Sequence, residues 1–170
     1  MFRQRNKRGV SLIETLVYVA ILAIILTFVM SGVLSLFKVS ERVRSSRLIN
    51  QTASVALERM VRDIRDAVSI DISGSILDIH PGSLTMLTVG GGGANISVKY
   101  ALSGDKLVRI LGTDEEIMTP NNVVISQLVF KHITTTNSEA VKIKMLIEDE
   151  DQEIGETREY SIIVVLRNSY

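Results

Sequence analysis

The first pattern in the chain is a long apolar run near its amino end. Residues 15–37 contain no charged side chain, and 23 helical residues at about 1.5 Å each extend about 35 Å, which exceeds the bilayer core of about 30 Å. The run is longer than the apolar region of a secretory signal, which has about 7 to 15 residues, and no small-residue cleavage site follows it. The pattern therefore predicts a membrane-spanning helix that is retained.

The segment that follows the apolar run has the period of a helix with one apolar face. Five apolar residues recur at spacings of three and four: Leu57, Met60, Val61, Ile64 and Val68. No proline interrupts residues 10–68. We therefore predict one continuous helix, with a transmembrane half over 10–37 and an amphipathic half over 38–68.

Beyond residue 68 the period becomes that of β-strands. Alternating or wholly apolar runs predict six strands: 84–89, 96–102, 106–111, 123–132, 141–147 and 160–166. The turn residues Ser103, Gly104 and Asp105 join two of them in a hairpin. A sheet with one apolar face needs a cover, and the amphipathic helix can supply it. We predict an α+β fold, with the long amino-terminal helix packed on a mostly antiparallel β-sheet head over 69–170.

Composition and charge restrict the chemistry. The chain has no cysteine, which excludes disulfides, thiolate metal sites and cysteine nucleophiles. Four of the 19 basic residues lie before Gly9, which leaves 15 basic against 19 acidic residues after it. Because the chain after Gly9 is mildly acidic, its charge argues against binding of nucleic acid by the head.

One carboxylate, Glu14, lies at the start of the apolar run. A charged side chain costs on the order of 2.5 to 3.5 kcal/mol at the bilayer centre and less near the interface, so an ionisable residue there is a functional candidate. The alternative is an interfacial glutamate whose carboxylate extends to the lipid headgroups. Both interpretations stay open on the pattern alone.

The segment around Glu14 resembles the processing motif of the type IV pilin and type II secretion pseudopilin family. The resemblance rests on Gly9 followed by Val10, Ser11, Leu12, Ile13 and Glu14, with basic residues before the glycine and apolar residues after Glu14. The usual motif has phenylalanine or methionine at the position of Val10 and threonine at that of Ser11. These departures are conservative and bear on the efficiency of processing.

The resemblance implies a sequence of events for the chain. Prepilin peptidase would remove residues 1–9 as a leader by cleaving between Gly9 and Val10, and the new amine of Val10 would be methylated. Glu14 would pair with the terminal amine of a neighbouring subunit during assembly. A charge-assisted bond is strong in a dry setting, and a lone carboxylate there is costly, so such pairing rewards correct register.

The family also implies partners and a location. The partners would be prepilin peptidase, other pilin or pseudopilin subunits, the inner-membrane assembly platform and the lipid bilayer. The chain would cross the cytoplasmic membrane once, with its amino terminus in the cytoplasm and its head on the periplasmic or extracellular side. It would then enter a pilus or pseudopilus.

A second resemblance, to the J-type minor pseudopilins and related minor pilins, rests on "ALERMVRDIRDA", "VKYALSGDKLVRI", "NVVISQLVF" and "VVLRNS". It implies a minor subunit that assembles into or primes a type IV pilus or type II secretion pseudopilus. Within the family, the alternative is a DNA-uptake or adhesion minor pilin. Outside it, the alternative is a single-pass membrane-anchored binding protein.

Other candidate chemistry is weaker. The acidic segment that begins at Glu148 and ends at Glu156 has enough carboxylates for weak calcium binding but lacks the order of an EF-hand, which favours a solvated hairpin turn. His80 and His132 have no second ligand or nucleophile pattern nearby. We therefore predict no catalytic residue, no metal site and no cofactor, and a protein that is not an enzyme.

Overall fold

The computed structural model describes residues 11–90, 93–136, 138–150 and 156–167. The chain divides into two compact units, Met1–Glu41 and Arg42–Tyr170. Helix α1, Leu12–Asp66, makes up nearly all of the described part of the first unit and begins the second. The leader and the cleavage position, Gly9 and Val10, lie outside the described residues.

In the first unit, every described residue is exposed. This part of α1 contains an 18-residue window that is long and apolar enough to cross a membrane, and none of that window is buried. Large apolar side chains exposed all round a helix are the pattern of a lipid-facing segment. Length and composition therefore make it a candidate membrane span.

In the second unit, the described residues form eight strands in two antiparallel sheets. The five-stranded sheet has sequential order and comprises β1 Ala67–Ile76, β2 Ser83–Val89, β3 Asn95–Ser103, β4 Lys106–Leu111 and β5 Asp114–Ile117. The three-stranded sheet comprises β6 Val123–Thr134, β7 Glu139–Asp149 and β8 Thr157–Val165. Neighbouring strands in each sheet follow one another along the chain, which short connections permit.

One hydrophobic core joins the helix to both sheets. The buried residues of α1 recur at helical spacing: Ser45, Ile49, Thr52, Ala53, Ala56, Met60 and Ile64. Strand β7 shows the alternation that its sequence predicts, because Val141, Ile143, Met145 and Ile147 are buried and Lys142 is exposed. Side chains that point alternately to opposite faces explain this pattern. The α+β fold class is confirmed.

The details of the helix differ from the predicted pattern. Leu57 and Val61 are only partly buried, at the edge of the buried face, and Val68 is exposed in β1. The buried face is instead centred on the small residues Ala53 and Ala56. Small side chains let a helix backbone approach its neighbours closely. A buried face predicted from the large apolar residues alone therefore points in a somewhat different direction from the face that contacts the sheets.

Two strands and the division into two sheets were not predicted. β1 begins at Ala67, directly after the last helical residue, Asp66, with no turn residue between them. β5 reads Asp114, Glu115, Glu116 and Ile117, and all four are exposed. Its pairing with β4, where Ile117 lies opposite Val108, is what makes it a strand.

The segment between β1 and β2 covers the outer edge of β6. The backbone N–H groups of Asp78 and Gly82 donate to the carbonyls of Phe130 and Leu128 at 2.8 and 2.9 Å. His80 accepts the N–H of Leu128 on its Nδ1 at 3.1 Å. Covered edges cannot pair with other chains, so His80 has a structural role here and joins the two sheets.

Polar side chains also attach the three-stranded sheet to α1. Arg158 of β8 donates from Nη2 to Ser46 Oγ at 2.7 Å and from Nη1 to Asn50 Oδ1 at 3.1 Å. The Tyr160 hydroxyl donates to the same Asn50 oxygen at 2.7 Å. These bonds fix the position of β8 along the helix as well as its distance from it.

Candidate functional site

The candidate site at the start of α1 begins with Ser11, which precedes the first helical residue. The Ser11 carbonyl accepts the N–H of Glu14 at 3.0 Å and that of Thr15 at 3.2 Å. Ser11 therefore occupies the N-cap position and Glu14 the third position of the helix. A serine followed three residues later by glutamate is the capping-box pattern, in which the glutamate turns back to the N–H of the cap residue.

The Glu14 carboxylate is bonded in the opposite direction. The hydroxyl of Tyr18 donates to Glu14 Oε1 at 3.1 Å. Residues four apart lie on one face of a helix, so Tyr18 holds the carboxylate towards the carboxyl end of α1. Among the described residues, Tyr18 is the side chain that donates to this carboxylate, which leaves Oε2 available to a further donor.

The other polar side chains of the apolar run are bonded within the helix. The hydroxyls of Thr27, Ser31 and Ser35 each donate to the carbonyl four residues earlier, at 2.9, 2.9 and 3.0 Å. Thr15 donates to the carbonyl of Leu12 at 2.8 Å. Hydroxyls bonded in this way are compatible with lipid. Glu14 carries the single charge among residues 11–37.

Tyr18 was not among the site residues predicted from the sequence. The sequence does contain a sign of this contact, because Tyr18 carries a phenol four residues after Glu14, the carboxylate at the start of the apolar run. The roles predicted for Gly9 and Val10 stay predictions, since both residues lie outside the described ranges. The pairing role of Glu14 also stays a prediction, because its proposed partner belongs to another subunit.

The second unit contains a buried polar cluster that joins α1 to the five-stranded sheet. Asp63 Oδ2 accepts hydrogen bonds from the Tyr100 hydroxyl at 2.8 Å and from Arg109 Nε at 2.6 Å. Burial, followed by the hydrogen bond and charge of Asp63, raises the pKa of Tyr100 far above its ordinary value. Desolvation acts to lower the pKa of Arg109, but the hydrogen bond and charge of Asp63 outweigh it and the pKa is raised. Every member has a partner, so the cluster is structural.

The other sequence candidates do not converge on a metal or catalytic site. His132 Nε2 lies 3.8 Å from Glu139 Oε2. His80 has a different partner, the backbone N–H of Leu128. In the acidic segment, Glu156 accepts two hydrogen bonds from Arg158, at 2.6 and 2.9 Å, and residues 151–155 lie outside the described ranges. No group of three or more His, Asp or Glu side chains suited to a metal ion occurs among the residues that the structure describes.

A groove of about 530 Å³ lies beside α1 in the second unit. Leu57, Val61 and Ile162 form its apolar part, and Glu58 and Arg62 are among the charged residues around it. The volume is within the range of about 300 to 1,000 Å³ that is typical of ligand sites. The partly buried apolar residues of the predicted helix face therefore line a surface groove beside the core.

Comparison with known proteins identifies the amino-terminal segment. Residues 4–30 match the model of the prokaryotic N-terminal methylation motif. The match covers Gly9, Val10 and Glu14 and indicates a type IV pilin-like precursor signal. It spans 27 of the 170 residues and does not extend into the head. No curated protein and no solved structure matches the chain.

The motif and the candidate span together fit single-pass membrane anchoring, processing by prepilin peptidase and association with other pilins. The motif thus indicates a type IV pilin-like precursor.

Proposed function

We propose that this chain is a minor pilin or pseudopilin, a non-enzymatic subunit that assembles into or primes a type IV pilus or a type II secretion pseudopilus. The observation that carries the proposal is the methylation motif over residues 4–30, directly before and within an exposed apolar helix. The minor class is supported by the sequence resemblance in the head.

In this proposal, hydrolysis of the peptide bond between Gly9 and Val10 releases the leader and leaves an amine on Val10, which is then methylated. The amine of one subunit pairs with Glu14 of a neighbour. A buried ion pair stabilises only in good geometry, and an unpaired member is strongly unfavourable, so incorrect axial positions are rejected. The single charge of Glu14 in residues 11–37 makes this selection possible.

The proposed topology follows from the same segment. The four basic residues before Gly9 stay in the cytoplasm and the head is exported. In this proposal residues 10–37 cross the cytoplasmic membrane, the helix continues beyond them to Asp66, and the strands from Ala67 onwards form most of the head. The inner-membrane assembly platform then transfers the subunit from the bilayer to the filament.

The decisive experiment is processing. Coexpression with a prepilin peptidase should remove residues 1–9, and intact mass should show the loss together with the added methyl group. Gly9→Leu should block cleavage. Gly32→Leu is the matched control, because a side chain added at Gly32 meets no atom within 4 Å. A retained leader, under conditions in which a known prepilin is cut, would contradict the proposal.

A second candidate is a single-pass membrane-anchored binding protein. The groove lined by Leu57, Val61 and Ile162 favours it, because a binding head needs a concave apolar surface. A plain anchor has no need of cleavage at Gly9, so the processing experiment separates the two functions. Within the pilin class, a subunit of a DNA-uptake or adhesive pilus would be cleaved in the same way, and gene neighbourhood would distinguish it.

A further inference from the structure

By their positions in the sequence, two donors of the same chain would compete with assembly for the Glu14 carboxylate. The capping-box spacing of Ser11 and Glu14 permits the carboxylate to turn back to the Ser11 N–H, where the positive end of the helix dipole would also attract it. After cleavage, the amine on Val10 of the same chain would be four residues away in sequence. Either contact would satisfy the carboxylate without a second subunit.

Tyr18 opposes both contacts. Its hydroxyl, 3.1 Å from Oε1, holds the carboxylate on the side of Glu14 that faces away from the helix start. Both residues lie on the outer surface of the candidate span, and in lipid a hydrogen bond to a charged acceptor is strong because little water competes with it. The hydroxyl occupies one oxygen and leaves Oε2 for a donor from outside the chain.

We propose that Tyr18 is a positioning residue for assembly, which holds the Glu14 carboxylate away from its own helix start and presents it to the amine of a neighbouring subunit. This inference rests on the assembly function proposed for Glu14. In this inference, Tyr18 favours pairing of the Glu14 carboxylate with another subunit over pairing within the same chain. The hydroxyl carries out that role, and the aromatic ring does not.

The test uses the full chain in its membrane, with a photo-crosslinking amino acid at Val29 to record contacts with neighbouring subunits. Tyr18→Phe removes only the hydroxyl, and we expect the yield of subunit adducts to fall about three- to tenfold at equal membrane level and equal leader removal. Thr27→Val is the matched control. It also removes one hydroxyl from the span, but that hydroxyl bonds to the carbonyl of Ala23, so the yield should stay within about twofold.

Epistasis separates positioning from packing. In a Glu14→Gln background, Tyr18→Phe should cause no further loss, because the charge that Tyr18 positions is gone. An equal loss in that background would mean that Tyr18 acts through packing and would overturn the inference. Unchanged yield for Tyr18→Phe, with a loss for Glu14→Gln, would also overturn it and leave the assembly function standing. An unchanged yield of subunit adducts for Glu14→Gln would overturn the assembly function proposed for Glu14.

A second measurement follows the carboxylate directly. In labelled full-length protein in micelles, Tyr18→Phe should slow hydrogen exchange of the Ser11 amide severalfold, because the released carboxylate turns back and accepts that N–H. Thr27→Val should leave this exchange rate unchanged. Equal exchange in wild type and Tyr18→Phe would show that the carboxylate does not turn back, and the inference would fail.

Discussion

Arg109 Nε donates a hydrogen bond to Asp63 Oδ2 at 2.6 Å, although the two residues are 46 positions apart in the chain. Their side chains are only 10% and 13% exposed. The bond joins β4 to α1 within the second compact unit, Arg42–Tyr170. Its contribution can therefore be measured without a membrane if that unit folds by itself.

We expect a fragment of residues 38–170 to be soluble and to unfold cooperatively. It contains the complete described core of helix and sheets, and a domain of this size can bury enough apolar surface to be stable. With no cysteine, a reducing agent should not change its urea midpoint. A chelator should have no effect either. If the chelator alone lowered the midpoint, the segment from Glu148 to Glu156 would have to be interpreted as a structural calcium site.

In the same fragment, Arg109→Met should lower the free energy of unfolding by about 3 to 5 kcal/mol, because it leaves the Asp63 carboxylate with an incomplete set of partners in a buried place. Arg59→Met is the matched control. Arg59 lies 3.7 Å from the other Asp63 oxygen but is 42% exposed, so its removal should cost less than about 1 kcal/mol. Similar losses for both variants in urea denaturation would contradict the importance given to the buried bond.

The raised pKa of Tyr100 predicts a loss of stability in alkali. In the unfolded chain, the phenol ionises near pH 10, whereas the folded state keeps its proton to higher pH. Between these two pKa values the folded state binds more protons than the unfolded state. The contribution of Tyr100 to the free energy of unfolding is therefore fully present below about pH 10 and is lost as the pH rises from there towards the folded pKa. Urea midpoints from pH 8 to 11 should show this decline.

Tyr100→Phe should flatten the alkaline decline while lowering stability at neutral pH by about 1 kcal/mol through the lost hydrogen bond. Tyr160→Phe is the comparison, because burial also raises the pKa of Tyr160, but this residue remains partly exposed. It should flatten the decline less. An unchanged alkaline slope in Tyr100→Phe would refute the assignment.

Glu14→Ala should leave cleavage and membrane insertion intact, since Gly9, the basic leader and residues 15–37 are unchanged. Crosslinking between membrane-embedded subunits should fall at least about tenfold, because the amine of the neighbour loses its counter-charge where water cannot replace it. A glutamate that merely extends to headgroups predicts no loss, since its removal makes the helix more apolar. Equal yields at equal membrane levels would therefore refute the assembly role.

The extent of that loss also bears on position in the filament. A subunit near the tip has neighbours on one side only, and a partial loss would indicate this place. A complete loss would indicate the shaft. Tyr18→Phe should reproduce the same loss in weaker form, because it leaves the charge and alters only its direction.

The strand pattern of the head could be predicted where it was local. Val141, Ile143 and Met145 alternate with lysines in the sequence and are buried in β7, because successive side chains of a strand point to opposite faces. β1 was missed, since it follows Asp66 with no turn residue that would mark the boundary. β5 was missed because none of its four residues is buried, so no apolar face marks it in the sequence.

The candidate site at the amino end is also local in sequence. Gly9, Val10 and Glu14 form a linear motif, and Tyr18 lies one helical turn beyond Glu14, so the position of each follows from counting residues along the chain. The direction of the Glu14 carboxylate does not follow from counting. Ser11 and Tyr18 are both within reach of it by spacing, and only the side-chain conformation of Glu14 in the folded helix decides in favour of Tyr18.

The sequence by itself determined the apolar span, the processing motif and the α+β class, because periodicity and linear motifs depend on neighbours within a few residues. Only the tertiary structure decided that the strands divide into two sheets, that Ala53 and Ala56 lie at the centre of the buried helix face, and that Asp63 meets Tyr100 and Arg109. These features depend on which distant segments approach one another. That approach is set by packing the whole core at once, so no local pattern contains it.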